Sequence, residues 1–328
     1  MHRLRPGVLV ALTLFLTALA GVSVRTPAVA AVPAGCTAVA AAVVDCVVPV
    51  PAEVGSVGAV DTRVRVALPD ASFTGPRPVL YLLHGVGDTY RTIVDNTGIE
   101  QFAAGLGAIV VMPDGGRTPN AGWYSDWADG SRRYETFHTR VLVPWVDANF
   151  ATLADRSHRG VAGISMGGFG ALSYAGRHPD LFGAAGATSG FLDSQVGGPV
   201  SGYGQNLGRS SLGTAGPEVW GDPALDADEW AAHNPTALAR AGALNHLAGN
   251  LWLAAGTGTP GGPAGEPASP AAYGVEHYIW QTNQQFRVAA LTRGVGFHDE
   301  AYLGGGHDWP HFEHGLRRIL PGLIAAIS

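Results

Sequence analysis

Arg159-Gly160-Val161-Ala162-Gly163-Ile164-Ser165-Met166-Gly167-Gly168 is the stretch that decides the fold. A short apolar run, Val161 to Ile164, leads into Gly163-x-Ser165-x-Gly167. Small residues from Gly168 to Ala171 then continue as Leu172-Ser173-Tyr174-Ala175. Read physically, this is strand, sharp turn, helix. The turn lifts one serine hydroxyl to the top of a sheet, where a base can reach it. Glycines on both sides suit a strained turn whose strand and helix backbones pass close together. The reaction type it implies is acyl transfer through a covalent serine ester. In a chain with 47 glycines the bare motif carries little weight. Its weight comes from the strand-turn-helix context and from partners that follow downstream in order.

The base is expected near the C-terminus. His307 sits in Gly304-Gly305-Gly306-His307-Asp308-Trp309-Pro310, after the strand-like Ala301-Tyr302-Leu303 and before a helix-like segment. That places it in a loop able to fold back over Ser165. His311 and His314 follow at spacings that invite a metal reading. The chain has no HExxH and no Cys/His ligand pattern, so no metal and no cofactor are expected.

The acid that orients the imidazole should lie between serine and histidine. Leu251-Trp252-Leu253-Ala254-Ala255 reads as a strand, Gly256 to Gly274 as a loop, and Val275 to Arg293 as a helix. The acids in range are Glu266, Glu276, Asp299 and Glu300. Glu266 lies in Pro/Gly sequence, and Asp299 and Glu300 begin the last strand. Glu276, at the expected helix start, is the choice; a plain helix-dipole role is the alternative. Oxyanion stabilisation needs two backbone N–H groups. Met166, after the nucleophile, supplies one. Val86 is expected to supply the other, from His84-Gly85-Val86-Gly87-Asp88, which follows the apolar strand Pro78 to Leu83.

Strand-like runs at 62–68, 79–83, 108–112, 161–164, 251–255 and 298–303 alternate with helix-like stretches at 99–106, 134–150, 168–177 and 276–293. Such alternation predicts an α/β fold, a mostly parallel central sheet with helices on both faces. With the elbow, this is the α/β-hydrolase fold. Pro144 should kink the helix in which it falls. Segments 195–221 and 256–274 read as loops bordering the pocket. The loop carrying Trp123-Tyr124-Ser125-Asp126-Trp127 reads either as a substrate surface or as aromatics packing the loop onto its own domain.

Arg3 and Arg5, the apolar run Gly7 to Val24 and Ala28-Val29-Ala30 read as a secretory signal peptide over residues 1–30. An uncleaved membrane anchor is the competing reading. Residues 31–328 then form a single catalytic domain. In an exported chain the pair Cys36 and Cys46 is expected to form a disulfide. All 20 basic residues are arginine, which excludes a P-loop lysine, a pyridoxal Schiff base and a Ser-Lys dyad. A net charge of −6 without basic runs argues against a nucleic-acid partner.

The chain resembles the antigen 85 mycolyltransferases and the wider esterase D / S-formylglutathione hydrolase group of α/β-hydrolases. The matching residues are Tyr81-Leu82-Leu83-x-Gly85, Val111-Met112-Pro113-x-Gly115-Gly116, Tyr124-Ser125-Asp126-Trp127, Glu135-Thr136-Phe137-x-Thr139-Arg140, Gly163-Ile164-Ser165-Met166, Ser189-Gly190-Phe191-Leu192, Gly256-x-Gly258-Thr259-Pro260 and His307-x-Trp309. The resemblance runs from about Val79 to Trp309. It places the catalytic acid on Glu276 and the oxyanion donors on Val86 and Met166. Substrate contacts are expected at His84, Trp127, Ser189 and Trp309. The mycolyltransferases carry an aspartate and an arginine where His84 and Gly87 stand, and use them to hold trehalose. Their absence removes charge-assisted hydrogen bonds to sugar hydroxyls.

The expectation is therefore an exported serine esterase acting on a lipid or small acyl ester, with hydrolysis preferred over transfer to a sugar or other alcohol acceptor. An acyltransferase of antigen 85 type is the alternative. A non-catalytic surface binding protein that keeps the fold is the alternative of another class.

Overall fold

The strands are β1 (Cys36–Ala40), β2 (Val43–Val47), β3 (Arg63–Ala67), β4 (Val79–Leu83), β5 (Ile109–Pro113), β6 (Arg159–Ile164), β7 (Ala184–Thr188), β8 (Leu251–Ala254) and β9 (His298–Asp299). They form one sheet in the order β1-β2-β3-β5-β4-β6-β7-β8-β9. Pairing is antiparallel from β1 to β5 and parallel from β5 through β4 and β6 to β9. The computed structural model describes residues 32–54, 57, 62–116, 121–195, 219–267 and 269–328. The expected signal peptide and nearly all of the expected loop 195–221 lie outside the described residues. Val32–Ser328 is one compact unit.

The helices are α1 (Thr92–Asn96), α2 (Ile99–Ala104), α3 (Tyr134–Thr136), α4 (Val143–Asn149), α5 (Met166–Arg177), α6 (Ala227–His233), α7 (Pro235–Ala241), α8 (Ala271–Thr292) and α9 (Trp309–Ala326). Side chains alternate across a strand, and the central strands are buried on both faces. In β4, Val79, Tyr81 and Leu83 join a core with residues of α5 and α8. Leu80 and Leu82 join a second core with residues of α1, α2 and α9. Burying each such side chain contributes about 1.5–3 kcal/mol, so the apolar run of β4 is what a doubly covered parallel strand requires.

Several boundaries differ from the sequence reading. The last strand is only His298–Asp299, with an isolated bridge from Tyr302 to Gly256. Helix α8 begins at Ala271, so Glu276 lies in its second turn rather than at its start. The 134–150 stretch is not one regular α-helix, and its irregularity falls just before Pro144. A π-helical segment, Phe137–Leu142, precedes α4, and Pro144 falls in the first turn of α4. The widened turn meets the missing proline N–H and the bulk of its ring before they can break the helix.

Candidate active site

Ser165 joins β6 to α5 with φ 55° and ψ −117°, a backbone conformation rare for a residue with a side chain. The turn has no room at its shoulders. A Cβ on Gly163 would lie 2.2 Å from the Gly167 carbonyl carbon, and one on Gly167 would lie 2.1 Å from the Leu83 carbonyl oxygen. The glycines flanking Ser165 are therefore imposed by contact with β4 and within the turn.

His307 reaches the same point from the loop between β9 and α9. Its backbone N–H donates to Ala272 O at 3.0 Å, and its ring stands edge-on to Phe312 at 4.8 Å between centroids. Its Nε2 is 2.9 Å from Ser165 Oγ, and its Nδ1 is 2.7 Å from Glu276 Oε2. Glu276 has no solvent exposure. Its Oε1 accepts from Ser189 Oγ at 2.8 Å and from Gly256 N–H at 3.0 Å. The carboxylate is thus fixed in rotation. As an acceptor it places the imidazole proton on Nδ1 and leaves the Nε2 lone pair facing the serine hydroxyl. The other acids in range are engaged elsewhere. Glu266 accepts from Tyr273 and from Gly261 N–H, Asp299 pairs with Arg287 and Glu300 with Arg318.

Ser165 and His307 open into a cavity of about 400 Å³. Val86 and Met166 line it beside them. Trp123, Phe191, Ile279, Trp309 and Phe312 make its wall largely apolar, and Asp88 and Asp308 add carboxyl groups. As the first residue of α5, Met166 carries an amide with no intrahelical partner. Burial on the cavity wall pushes the Asp88 carboxyl above its ordinary range, against the opposing hydrogen bond from the Gly85 N–H.

Of the four expected substrate contacts, only Trp309 lines the cavity. His84 is buried, with Nδ1 2.8 Å from Gly85 O and Nε2 accepting from Gly115 N–H at 2.8 Å. Ser189 is buried with its hydroxyl on Glu276. Trp127 is buried outside the cavity lining, its indole N–H on Gly122 O and the Arg132 guanidinium over its ring. His84 and Ser189 thus hold site residues from outside the cavity, while Trp127 packs its loop onto the domain. From the same aromatic loop it is Trp123 that faces the cavity. Cys36 and Cys46 are joined by a disulfide across the β1–β2 pair.

Trp123, Tyr124, Ser165 and Ser189 are the non-glycine residues with positive φ among those described. Each touches the site: Trp123 on the cavity wall, Ser165 at the turn and Ser189 on Glu276. Tyr124 OH donates to His84 O at 2.9 Å. Backbone strain of this kind gathers at functional sites. It leaves no mark in composition or periodicity, which is why the supporting role of Ser189 is not legible in the sequence.

Known proteins share this architecture. Among solved structures, MPT51 of Mycobacterium tuberculosis superposes with a TM-score of 0.64 at 25% identity, covering 86% of this chain and 97% of that one. Esterase Rv1288 of Mycobacterium tuberculosis (strain ATCC 25618 / H37Rv) is 37% identical over 80% of this chain, which spans 56% of the length of that relative. The diacylglycerol acyltransferase/mycolyltransferase Ag85B of Mycobacterium leprae (strain TN) is 32% identical over 75% of each chain. The fold is that of the α/β-hydrolases, and with the Putative esterase profile matching residues 59–323, the chain belongs to that esterase family.

Proposed function

We propose that this protein is an exported serine esterase that hydrolyses acyl esters through a covalent acyl-enzyme. The observation that carries the reading is the chain of hydrogen bonds from Ser165 Oγ to His307 Nε2 at 2.9 Å and from His307 Nδ1 to Glu276 at 2.7 Å, opening on the cavity. Ser165 Oγ attacks the ester carbonyl as its proton passes to His307 Nε2. The new Oγ–C bond makes a tetrahedral intermediate whose oxyanion is held by the Val86 and Met166 amides. Collapse breaks the bond to the alkoxy oxygen, and His307 returns the proton to the departing alcohol. Water, deprotonated by His307, then attacks the acyl-enzyme. The acid is released and Ser165 Oγ regains its proton. Glu276 stays ionised throughout and stabilises the imidazolium.

Hydrolysis is preferred to transfer because the loop that would hold a sugar acceptor presents no strong donor or acceptor where His84 and Gly87 stand. The His84 side chain is buried and engaged, and Gly87 has none. The apolar wall suits the acyl portion of a lipid or small ester. The signal-like residues 1–30 and the Cys36–Cys46 disulfide support export.

A fluorophosphonate probe should label the wild-type protein and not Ser165→Ala; an unlabelled wild type would defeat the enzymatic reading and favour a binding role. With an acyl ester supplied together with trehalose or glycerol, the free acid should be the main product. Acylated acceptor as the dominant product would replace the esterase by an acyltransferase of antigen 85 type.

A further inference from the structure

His84 lies directly under the loop that carries Val86, and its two ring nitrogens have different partners. The Gly115 N–H can only donate, so His84 Nε2 is the acceptor and carries no proton. The neutral ring therefore holds its proton on Nδ1 and donates it to Gly85 O at 2.8 Å. Gly85 O belongs to the Gly85–Val86 peptide. In a planar trans peptide the N–H points opposite to the C=O. Drawing Gly85 O down onto a buried imidazole therefore turns the Val86 N–H up, on the side where Val86 lines the cavity beside Ser165.

The neighbouring groups hold the same frame. Tyr124 OH donates to His84 O, and Gly85 N–H donates to Asp88 Oδ2 at 3.2 Å. Asp88 N–H adds a longer contact to Gly85 O at 3.4 Å. Beneath them Asp114 O meets His138 Nε2 at 3.0 Å, and His138 Nδ1 meets Tyr174 OH at 2.8 Å. The loop thus rests on a buried polar floor.

We propose that His84 is a positioning residue for catalysis: its Nδ1–H, held in that tautomer by the Gly115 amide, fixes the Gly85–Val86 peptide so that the Val86 N–H is aimed at the oxyanion before substrate arrives. The inference rests on the acyl-enzyme reading of Ser165. It assigns to His84 neither contact with substrate nor proton transfer.

Two replacements separate the two ring nitrogens. Asparagine places its amide nitrogen near the position of Nδ1 and can still donate to Gly85 O. Glutamine places its amide oxygen near Nε2 and can accept from Gly115 N–H, but leaves Gly85 O without its donor. With a p-nitrophenyl ester, His84→Gln should lower kcat about 100-fold, the loss typical of one misplaced oxyanion donor, with KM changed less than threefold. His84→Asn should stay within tenfold of wild type. The decisive readout is the ratio of kcat/KM for an oxoester to that for the matching thionoester. Sulfur takes weaker hydrogen bonds, so this ratio reports the oxyanion site alone. It should fall in His84→Gln and hold in His84→Asn. Equal losses in the two variants, a loss carried by KM, or an unchanged ratio in His84→Gln would overturn the proposal. If His84→Gln does not fold, His84→Asn carries the test, and a lowered ratio there overturns it. Failure of the enzymatic reading would show separately, as a wild-type protein that the fluorophosphonate does not label.

Discussion

The Ser189 hydroxyl and the Gly256 N–H both donate to one oxygen of Glu276, while the other oxygen takes His307. Removing a member of such a set costs according to what is left. Ser189→Ala leaves Glu276 with the Gly256 amide and His307, so kcat should fall about tenfold with KM unchanged, the cost of one hydrogen bond to a charged group. Glu276→Gln keeps the shape but can present an N–H to His307 and favour the wrong tautomer; kcat should drop on the order of 10⁴-fold. Steady-state kinetics on one ester check both. A Glu276→Gln variant with near wild-type kcat would move the acid elsewhere, although Glu266, Asp299 and Glu300 are already committed to other partners. That Ser165, Glu276 and His307 come together is legible in the sequence because triad chemistry confines its members to a few residue types in a fixed chain order. His84 and Ser189, expected as substrate contacts, face away from the cavity, because a sequence places a polar residue at a site without saying which side of the wall it faces.

The elements follow the same logic. β4, β6 and β8 announce themselves as apolar runs, since both faces of a central parallel strand are buried. β7, Ala184-Ala185-Gly186-Ala187-Thr188, has no bulky β-branched core and gives no strand signal in the sequence. Its small side chains are needed because α9 packs against it: a Cβ on Gly186 would lie 3.0 Å from the Leu323 side chain. The β1–β2 hairpin gives no clear sequence signal either, its strands being short and β1 mostly exposed. The start of α8 was hidden in Pro/Gly/Ala sequence. The elbow, by contrast, was fully legible, since its glycines answer to backbone contacts. Gly167→Ala forces a Cβ against the Leu83 carbonyl oxygen at 2.1 Å, where no side-chain rotation gives relief. It should cost roughly 3 kcal/mol or more, in the range of severe steric substitutions, and abolish labelling of Ser165. A thermal melt matching wild type would show that β4 and α5 can separate without loss.

At the scale of the whole molecule, the sheet order sets how far a perturbation travels. The Cys36–Cys46 disulfide joins β1 and β2 at the edge of the sheet, whereas Ser165 follows β6. Chain-entropy reasoning gives such a short loop at most about 3 kcal/mol. Reduction should therefore release amide protection in β1 and β2, read by hydrogen exchange, while esterase turnover stays within twofold. On the α5 face, Glu135 of α3 accepts from Arg177 Nε at 2.8 Å and from His178 Nε2 at 2.7 Å, with His233 of α6 at 3.7 Å. Burial alone would raise its carboxyl. The hydrogen bond from His178 and the Arg177 guanidinium outweigh burial and hold it at about 2, from an ordinary 4.5. Because the folded state lowers this pKa, the ionised carboxylate stabilises the fold. That contribution is complete above about pH 4.5 and is lost as the pH falls towards 2. The shift corresponds to stabilisation on the order of 3 kcal/mol, and the Glu135 side chain is only 8% exposed, so solvent screens it little. Glu135→Gln has no charge to lose. The gap in melting temperature between wild type and Glu135→Gln should therefore be widest near pH 6 and close steadily from pH 4.5 downwards. Melting curves that run parallel across that window would show that the three helices are joined by packing alone and that the charge on Glu135 adds nothing to it.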